Sequence, residues 1–154
     1  MSSWKYYDEK TGVLVYESSQ SLDPQTYTQT YESTSYYPDT GKVSSSSVEV
    51  RKQDEDGNWE QLSYSSTGYD EAGRVTNEST EDNLGNSTSS NYTYDKDGEL
   101  VRKQSSVRKT DLKTEAYTEE SITTDGAGNI LERGEIKYTP KYDTVGAFLE
   151  GTEV

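Results

Sequence analysis

Side chains alternate with a period of two residues along several stretches of this chain. In residues 25–36, Tyr27 and Tyr31 fall on one face and threonines on the other, and in residues 86–94, Tyr92 and Tyr94 share a face. Residues 101–107, 114–123 and 130–138 follow a similar pattern. This alternation predicts half-exposed β-strands, and no stretch of useful length carries the 3.6-residue stripe of an amphipathic helix. We therefore expect helix to be essentially absent.

Turn signals separate these stretches at intervals of 12 to 18 residues. An aspartate carboxylate can accept hydrogen bonds from backbone N–H groups two residues on, and a following glycine supplies the positive φ of a hairpin turn. The predicted turn residues are Asp8 and Gly12, Asp39 and Gly41, Asp56 and Gly57, Asp70 and Gly73, Asp82 and Gly85, Asp95 and Gly98, Asp125 and Gly128, and Asp143 and Gly146, with degenerate copies at Asp23 and Asp111.

The simplest fold with this spacing is all-β: an antiparallel up-and-down meander of about ten long strands, built from two-stranded repeats of roughly 30 residues in a single domain over residues 1–154. We expect an open twisted or single-layer sheet, with a closed barrel as the alternative. Ile, Leu, Val and Phe make up only 22 of 154 residues, a composition that favours disorder. The regular turn spacing outweighs the composition.

The chain has no Cys, no His and a formal charge of −14. Disulfides, Cys/His zinc sites and Ser-His-Asp or Cys-His nucleophilic sites are thereby excluded. The negative charge argues against direct nucleic-acid binding and against an anionic membrane surface, and no apolar run approaches the roughly 20 residues of a membrane span. A partner, if there is one, is expected to be a protein, and a basic protein would suit the charge.

Residues 69–100 resemble the YD repeats of bacterial RHS proteins. The similarity rests on Tyr-Asp-Glu-Ala-Gly-Arg-Val-Thr at 69–76, Leu-Gly-Asn-Ser-Thr at 84–88 and Tyr-Thr-Tyr-Asp-Lys-Asp-Gly-Glu-Leu at 92–100, with looser copies along most of the chain. The resemblance implies a continuous β-strip used in a shell or a surface structure. This chain is too short to enclose a cargo, and it has neither the self-cleavage motif nor a toxin-like domain. The resemblance therefore implies a structural or protein-binding module that is bacterial in origin.

Two acidic turns, at residues 54–57 and 95–98, invite comparison with calcium loops. Aligning their glycines with an EF-hand loop puts Lys52 or Thr93 at position 1 and Ser63 or Gln104 at position 12, so both fail. A carboxylate pair for glycoside hydrolysis needs a pocket that raises a pKa, which an aliphatic-poor sheet does not offer. We therefore expect no catalytic residue, no metal and no cofactor.

Aromatic residues are the remaining candidates for recognition. Most are expected to hold the sheet together as cross-strand pairs, and others to form a platform for a protein or a glycan. The candidate binding aromatics are Trp4, Tyr27, Tyr31, Trp59, Tyr92 and Tyr94.

The expected function is that of a non-enzymatic structural or protein-binding β-repeat module. The alternatives are an acidic immunity or inhibitor protein that occludes a basic toxin or nucleic-acid-binding partner, and a glycan-binding surface module. Residues 1–8 do not resemble a secretory leader, so we expect a cytoplasmic protein if the chain is complete, or an extracellular or cell-surface one if it is part of a larger RHS-type protein.

An open meander has two strand edges, which tend to pair with neighbouring chains. We expect one edge near Lys5 and Asp8 and the other near residues 137–141, where Pro140 cannot donate to a ladder. These features favour a monomer, with edge-to-edge self-association as the alternative.

Overall fold

The computed structural model describes residues 1–142 and 148–153, and none of these residues is helical. The all-β antiparallel prediction is confirmed, with eleven strands among the described residues. They are β1 (Ser2–Tyr7), β2 (Leu14–Asp23), β3 (Thr28–Tyr36), β4 (Val43–Gln53), β5 (Trp59–Tyr69), β6 (Val75–Asp82), β7 (Ser87–Tyr94), β8 (Leu100–Asp111), β9 (Ala116–Asp125), β10 (Ile130–Tyr142) and β11 (Phe148–Glu153).

The chain forms two compact units, Met1–Asn83 and Leu84–Val154. In the first unit, β1 to β6 each pair antiparallel with the next strand in the sequence. In the second, β7 to β11 do the same. Within the described ranges, no pairing joins β1 to β6 or β7 to β11, so neither meander closes into a barrel.

The hairpin turns close through aspartate and glycine together. At Asp70, the backbone N–H bonds the carbonyl of Arg74 at 2.9 Å and the carbonyl accepts from the N–H of Gly73 at 2.8 Å. Gly73 has a φ of +85°. The turns at Asp54, Asp95 and Asp125 repeat this pattern of two backbone bonds. This is the geometry of a type I turn followed by a G1 bulge, which joins adjacent strands by a short loop.

Each hairpin that begins with a Tyr-Asp pair also contains a second irregularity, in the returning strand. Tyr69 pairs with Val75 and Gly68 pairs with Asn77, so Thr76 is an extra residue on β6. Similar shifts occur where Tyr7 pairs with Leu14 and where Tyr94 pairs with Leu100. Such bulges bend and twist the strand locally and change which face its later residues occupy.

None of the hydrophobic side chains in the described part of the chain is buried. The buried polar side chains are Ser18 and Thr123, which are 6% and 4% exposed. Stability must therefore come from cross-strand pairs and backbone ladders, since each side-chain pair contributes about 0.2–1 kcal/mol in a sheet.

Two details differ from the sequence-based expectations. Tyr27 was predicted in a strand, but it lies in the β2–β3 turn with a φ of 52°, because the Asp23 carboxylate draws in the Gln25 N–H at 2.9 Å and holds residues 24–27 out of the ladder. The predicted edge at residues 137–141 is wrong, because β11 pairs with this part of β10 and Pro140 lies opposite Gly151. The predicted turn at Asp143 and Gly146 lies outside the described residues.

Candidate binding surface

The two faces of the first unit carry different side chains. Opposite residues in an antiparallel pair share a face, so the strand registers assign every strand position to one side. One side, here called the aromatic face, carries six of the aromatic residues in these strands, and the other three (Tyr7, Tyr36 and Tyr69) lie at strand ends next to turns. The aromatic residues of the aromatic face are Trp4, Tyr6, Tyr16, Tyr31, Trp59 and Tyr64.

Charge is distributed in the opposite way. The strand residues of the aromatic face include two acids and one base, Glu49, Glu81 and Arg51. Glu49 Oε1 accepts from Arg51 Nε at 2.9 Å, so two of these charges are already paired. The other side, here called the acidic face, has six acids and two bases: Glu17, Asp23, Glu32, Glu60, Glu78, Asp82, Lys5 and Lys52.

A row of serines crosses the aromatic face from β2 to β6. Its members, here called the serine row, are directly opposite one another and comprise Ser18, Ser33, Ser47, Ser66 and Ser79. The hydroxyls of Ser33 and Ser47 lie 2.7 Å apart, and those of Ser66 and Ser79 lie 2.8 Å apart. The Tyr16 and Tyr31 hydroxyls pair in the same way at 2.9 Å. Much of the hydrogen-bonding capacity of this face is therefore satisfied within the sheet.

The aromatic face contains a shallow groove of about 230 Å³. Its lining is Gln20, Gln29, Tyr31, Glu49 and Arg51. Amide, phenol and paired charged groups of this kind can donate and accept hydrogen bonds to a polar ligand or to a peptide backbone.

The predicted binding aromatics do not form one cluster. Trp4 and Trp59, 43% and 40% exposed, lie on the aromatic face together with the half-buried Tyr31. Tyr27 lies in its turn beside an open groove of about 640 Å³ that Lys52 also lines.

Tyr92 and Tyr94 belong to the second unit. Lys103 Nζ lies 5.1 Å from the centroid of the Tyr92 ring, a cation–π distance, and Tyr94 is opposite Leu100. They sit in cross-strand pairs of the kind expected to hold a sheet together.

Sequence reasoning missed Tyr6, Tyr16 and Tyr64 as members of the aromatic face. It also missed a cluster in the second unit, where the Arg108 guanidinium lies 4.3 Å from the Tyr117 ring centroid. The rings of Tyr117 and Tyr138 stack with centroids 5.0 Å apart. No signal in the sequence could have found these groupings, because they depend on cross-strand register and therefore on the positions of the bulges.

The turn carboxylates are held by their own backbone. Asp54 Oδ1 accepts from the N–H groups of Asp56 and Asn58, at 2.9 and 2.8 Å, and Asp95 Oδ1 accepts from those of Asp97 and Glu99 at 2.9 Å. Asp56, the predicted turn aspartate, is thus a donor within the turn. The other predicted turn glycines with positive φ are Gly12, Gly41, Gly57, Gly85, Gly98 and Gly128, and Asp82 ends β6 opposite Ser63.

Hydrogen bonds to the ionised form lower the pKa of several turn carboxyls. For Asp70, the largest cause is the backbone N–H of Arg74, and the Arg74 guanidinium adds to it at 2.7 Å. For Asp125, the Asn129 side chain contributes most. The same direction holds where backbone N–H groups are the first cause, and the complete set, here called the turn aspartates, is Asp8, Asp23, Asp54, Asp70 and Asp125.

No cluster of metal-ligating side chains occurs within residues 1–142 and 148–153. In the same residues, no helix is long and apolar enough to cross a membrane. No protein-family model matches the chain, and a search of the curated proteins gave no significant match.

Proposed function

We propose that this chain is a non-enzymatic structural or protein-binding β-repeat module and that it binds its partner through the aromatic face. The observation that carries the proposal is the separation of aromatic from acidic side chains onto opposite faces of β1 to β6. The resemblance of residues 69–100 to YD repeats supports the same class of function.

The composition of the aromatic face suits protein recognition. Tyrosine, tryptophan and serine dominate binding surfaces that combine rigid contact area with adaptable hydrogen bonding. The centres of protein interfaces are also depleted in charge, and the aromatic face has one unpaired strand charge, Glu81, on the outermost strand β6. The acidic face has the opposite character and is suited to remaining in water.

The test compares three forms of the protein as immobilised bait in a native lysate. They are the wild type, an aromatic-face variant (Trp4→Ser with Tyr64→Ser) and an acidic-face variant (Glu32→Gln with Glu60→Gln). We expect specific proteins to be retained by the wild type and the acidic-face variant and to be lost with the aromatic-face variant. Far-ultraviolet circular dichroism checks that all three keep their strands.

A second function, the acidic inhibitor, is favoured by the six acids of the acidic face. Its partner would be lost with the acidic-face variant and with added salt, because screening weakens attraction between opposite charges. That result, or equal capture by all three forms, would overturn binding through the aromatic face. Retention of a polysaccharide in place of a protein would replace the proposal with the glycan-binding function.

A further inference from the structure

We propose that the aromatic face of β1 to β6 packs against the same face of a second copy of this chain, forming a two-fold face-to-face dimer. This inference rests on the proposed function, because it names a partner for the aromatic face. It differs from the monomer and from the edge-to-edge association that the sequence suggests.

The first argument is the absence of a core. A sheet is normally covered on one face by a second layer, yet no hydrophobic side chain in the described residues is buried. Tyr16, Tyr31 and Tyr64 are only half-buried, and Trp4, Tyr6 and Trp59 are exposed. A second sheet lying on this face would bury all six rings at the usual spacing of about 10 Å between packed sheets.

The second argument is electrostatic. In a two-fold dimer each face meets its own copy, so a charged face repels itself. The acidic face, with six acids against two bases, is unsuited to such contact. On the aromatic face, Glu49 and Arg51 neutralise each other and Glu81 lies on the outermost strand, where it can stay in water. Of the two faces, only the aromatic one can meet itself without bringing many like charges together.

The third argument concerns hydrogen bonds. A buried hydroxyl without a partner is costly, which usually prevents serine-rich surfaces from packing. Here the hydroxyls of Ser33 and Ser47, and those of Ser66 and Ser79, already bond each other across the strands. Tyr16 and Tyr31 do likewise. The serine row can therefore be covered while these hydroxyl pairs stay intact.

The area of the face is sufficient. Six strands at about 4.8 Å and a strand length near nine residues at about 3.3 Å give a surface of roughly 860 Å². A stable interface of standard size buries about 800 Å² on each partner. The aromatic face of one unit therefore meets the requirement without help from the rest of the chain.

The test is the mass of the full chain by sedimentation equilibrium between about 1 and 100 μM, a range that spans common dimer affinities. Ser47 and Ser46 are neighbours on β4, both half-buried, and they point to the aromatic and the acidic face respectively. Ser47→Lys places two like charges in the interface, whereas Ser46→Lys makes the same change on the other side. Tyr64→Ser is a second aromatic-face variant that adds no charge.

We expect the wild type and Ser46→Lys to reach twice the chain mass of 17.3 kDa. Ser47→Lys and Tyr64→Ser should raise the dissociation constant about tenfold or more, because interface centres tolerate neither unpaired charge nor lost aromatic area. A monomeric wild type throughout this range, or a dimer that Ser47→Lys leaves intact, would overturn the proposal.

The two proposals fail in distinguishable ways. A monomeric wild type that still captures a different protein through the aromatic face removes the dimer and leaves the proposed function in place. A dimer broken by Ser47→Lys, together with no captured protein in the lysate experiment, keeps the dimer and removes binding to a different partner.

Discussion

Replacing Gly73 with alanine tests whether the hairpin turns hold this sheet together. Gly73 has a φ of +85°, and a Cβ added there meets no atom within 4 Å. The substitution therefore causes no clash, and its whole effect comes from forcing an L-residue into the left-handed region. That costs about 1–2 kcal/mol per residue. Few positions in a protein separate backbone strain from packing so completely.

The assay is urea unfolding followed by far-ultraviolet circular dichroism. With a denaturant slope of about 2 kcal/mol per molar, the expected loss moves the midpoint of Gly73→Ala down by roughly 0.5–1 M. Gly73→Asn should lose less than half as much, because asparagine tolerates the left-handed region better than alanine. Equal losses for Ala and Asn, or no loss for Ala, would show that the turn does not control stability in the way argued.

The reciprocal change is available at Tyr27, a non-glycine residue with a φ of 52° whose side chain is 59% exposed. Tyr27→Gly removes strain but adds freedom to the unfolded chain, so we expect a change in the free energy of unfolding within about 1 kcal/mol in either direction. A loss well beyond this range would mean that the exposed ring makes contacts that stabilise the turn.

Three further predictions address charge and close packing. Because folding lowers the pKa of the turn aspartates below 3.8, their contribution to stability is present above that value and is lost as the pH falls through the lowered pKa. Urea midpoints should therefore drop below about pH 4, and Asp125→Asn should reduce that dependence. A double-mutant cycle on Arg108 and Glu119, which bond at 2.7 Å on a part-exposed surface, should give a coupling of about 0.2–1 kcal/mol in urea unfolding, reduced by salt. Gly126→Ala should destabilise by about 3 kcal/mol or more in the same assay, because its Cβ would overlap the backbone of Leu100, which no rotamer change can relieve.

Much of the fold was predictable because turn chemistry is local. The Asp-to-Gly spacing at Asp70 and Asp125 contains the donor, the acceptor and the positive-φ residue of the turn within four positions, so sequence alone predicts the hairpin. The turn at Asp23 was harder, because Tyr27 takes the left-handed position that glycine occupies elsewhere. A tyrosine there gives no turn signal, and the strand was predicted to begin too early.

The aromatic face was not predictable for a different reason. Whether Tyr31 and Tyr64 share a side depends on the register of β3, β4 and β5 together, and the register shifts by one residue between Val50 and Arg51. A single residue of slip moves every later side chain to the opposite face. Bulge residues such as Thr76 have no distinctive composition, so the face emerges only once the strands are paired.

The absence of a core and the separation of the faces are connected. When stability is spread over many cross-strand pairs of about 0.2–1 kcal/mol each, no single side chain on either face is indispensable for folding. The aromatic face can then be specialised for contact while the acidic face keeps the sheet in water. The same property makes the binding experiments informative, because Tyr64→Ser or Ser47→Lys removes a contact surface without removing a buried residue. A loss of binding in these variants, with strand content unchanged, therefore reports on recognition and not on folding.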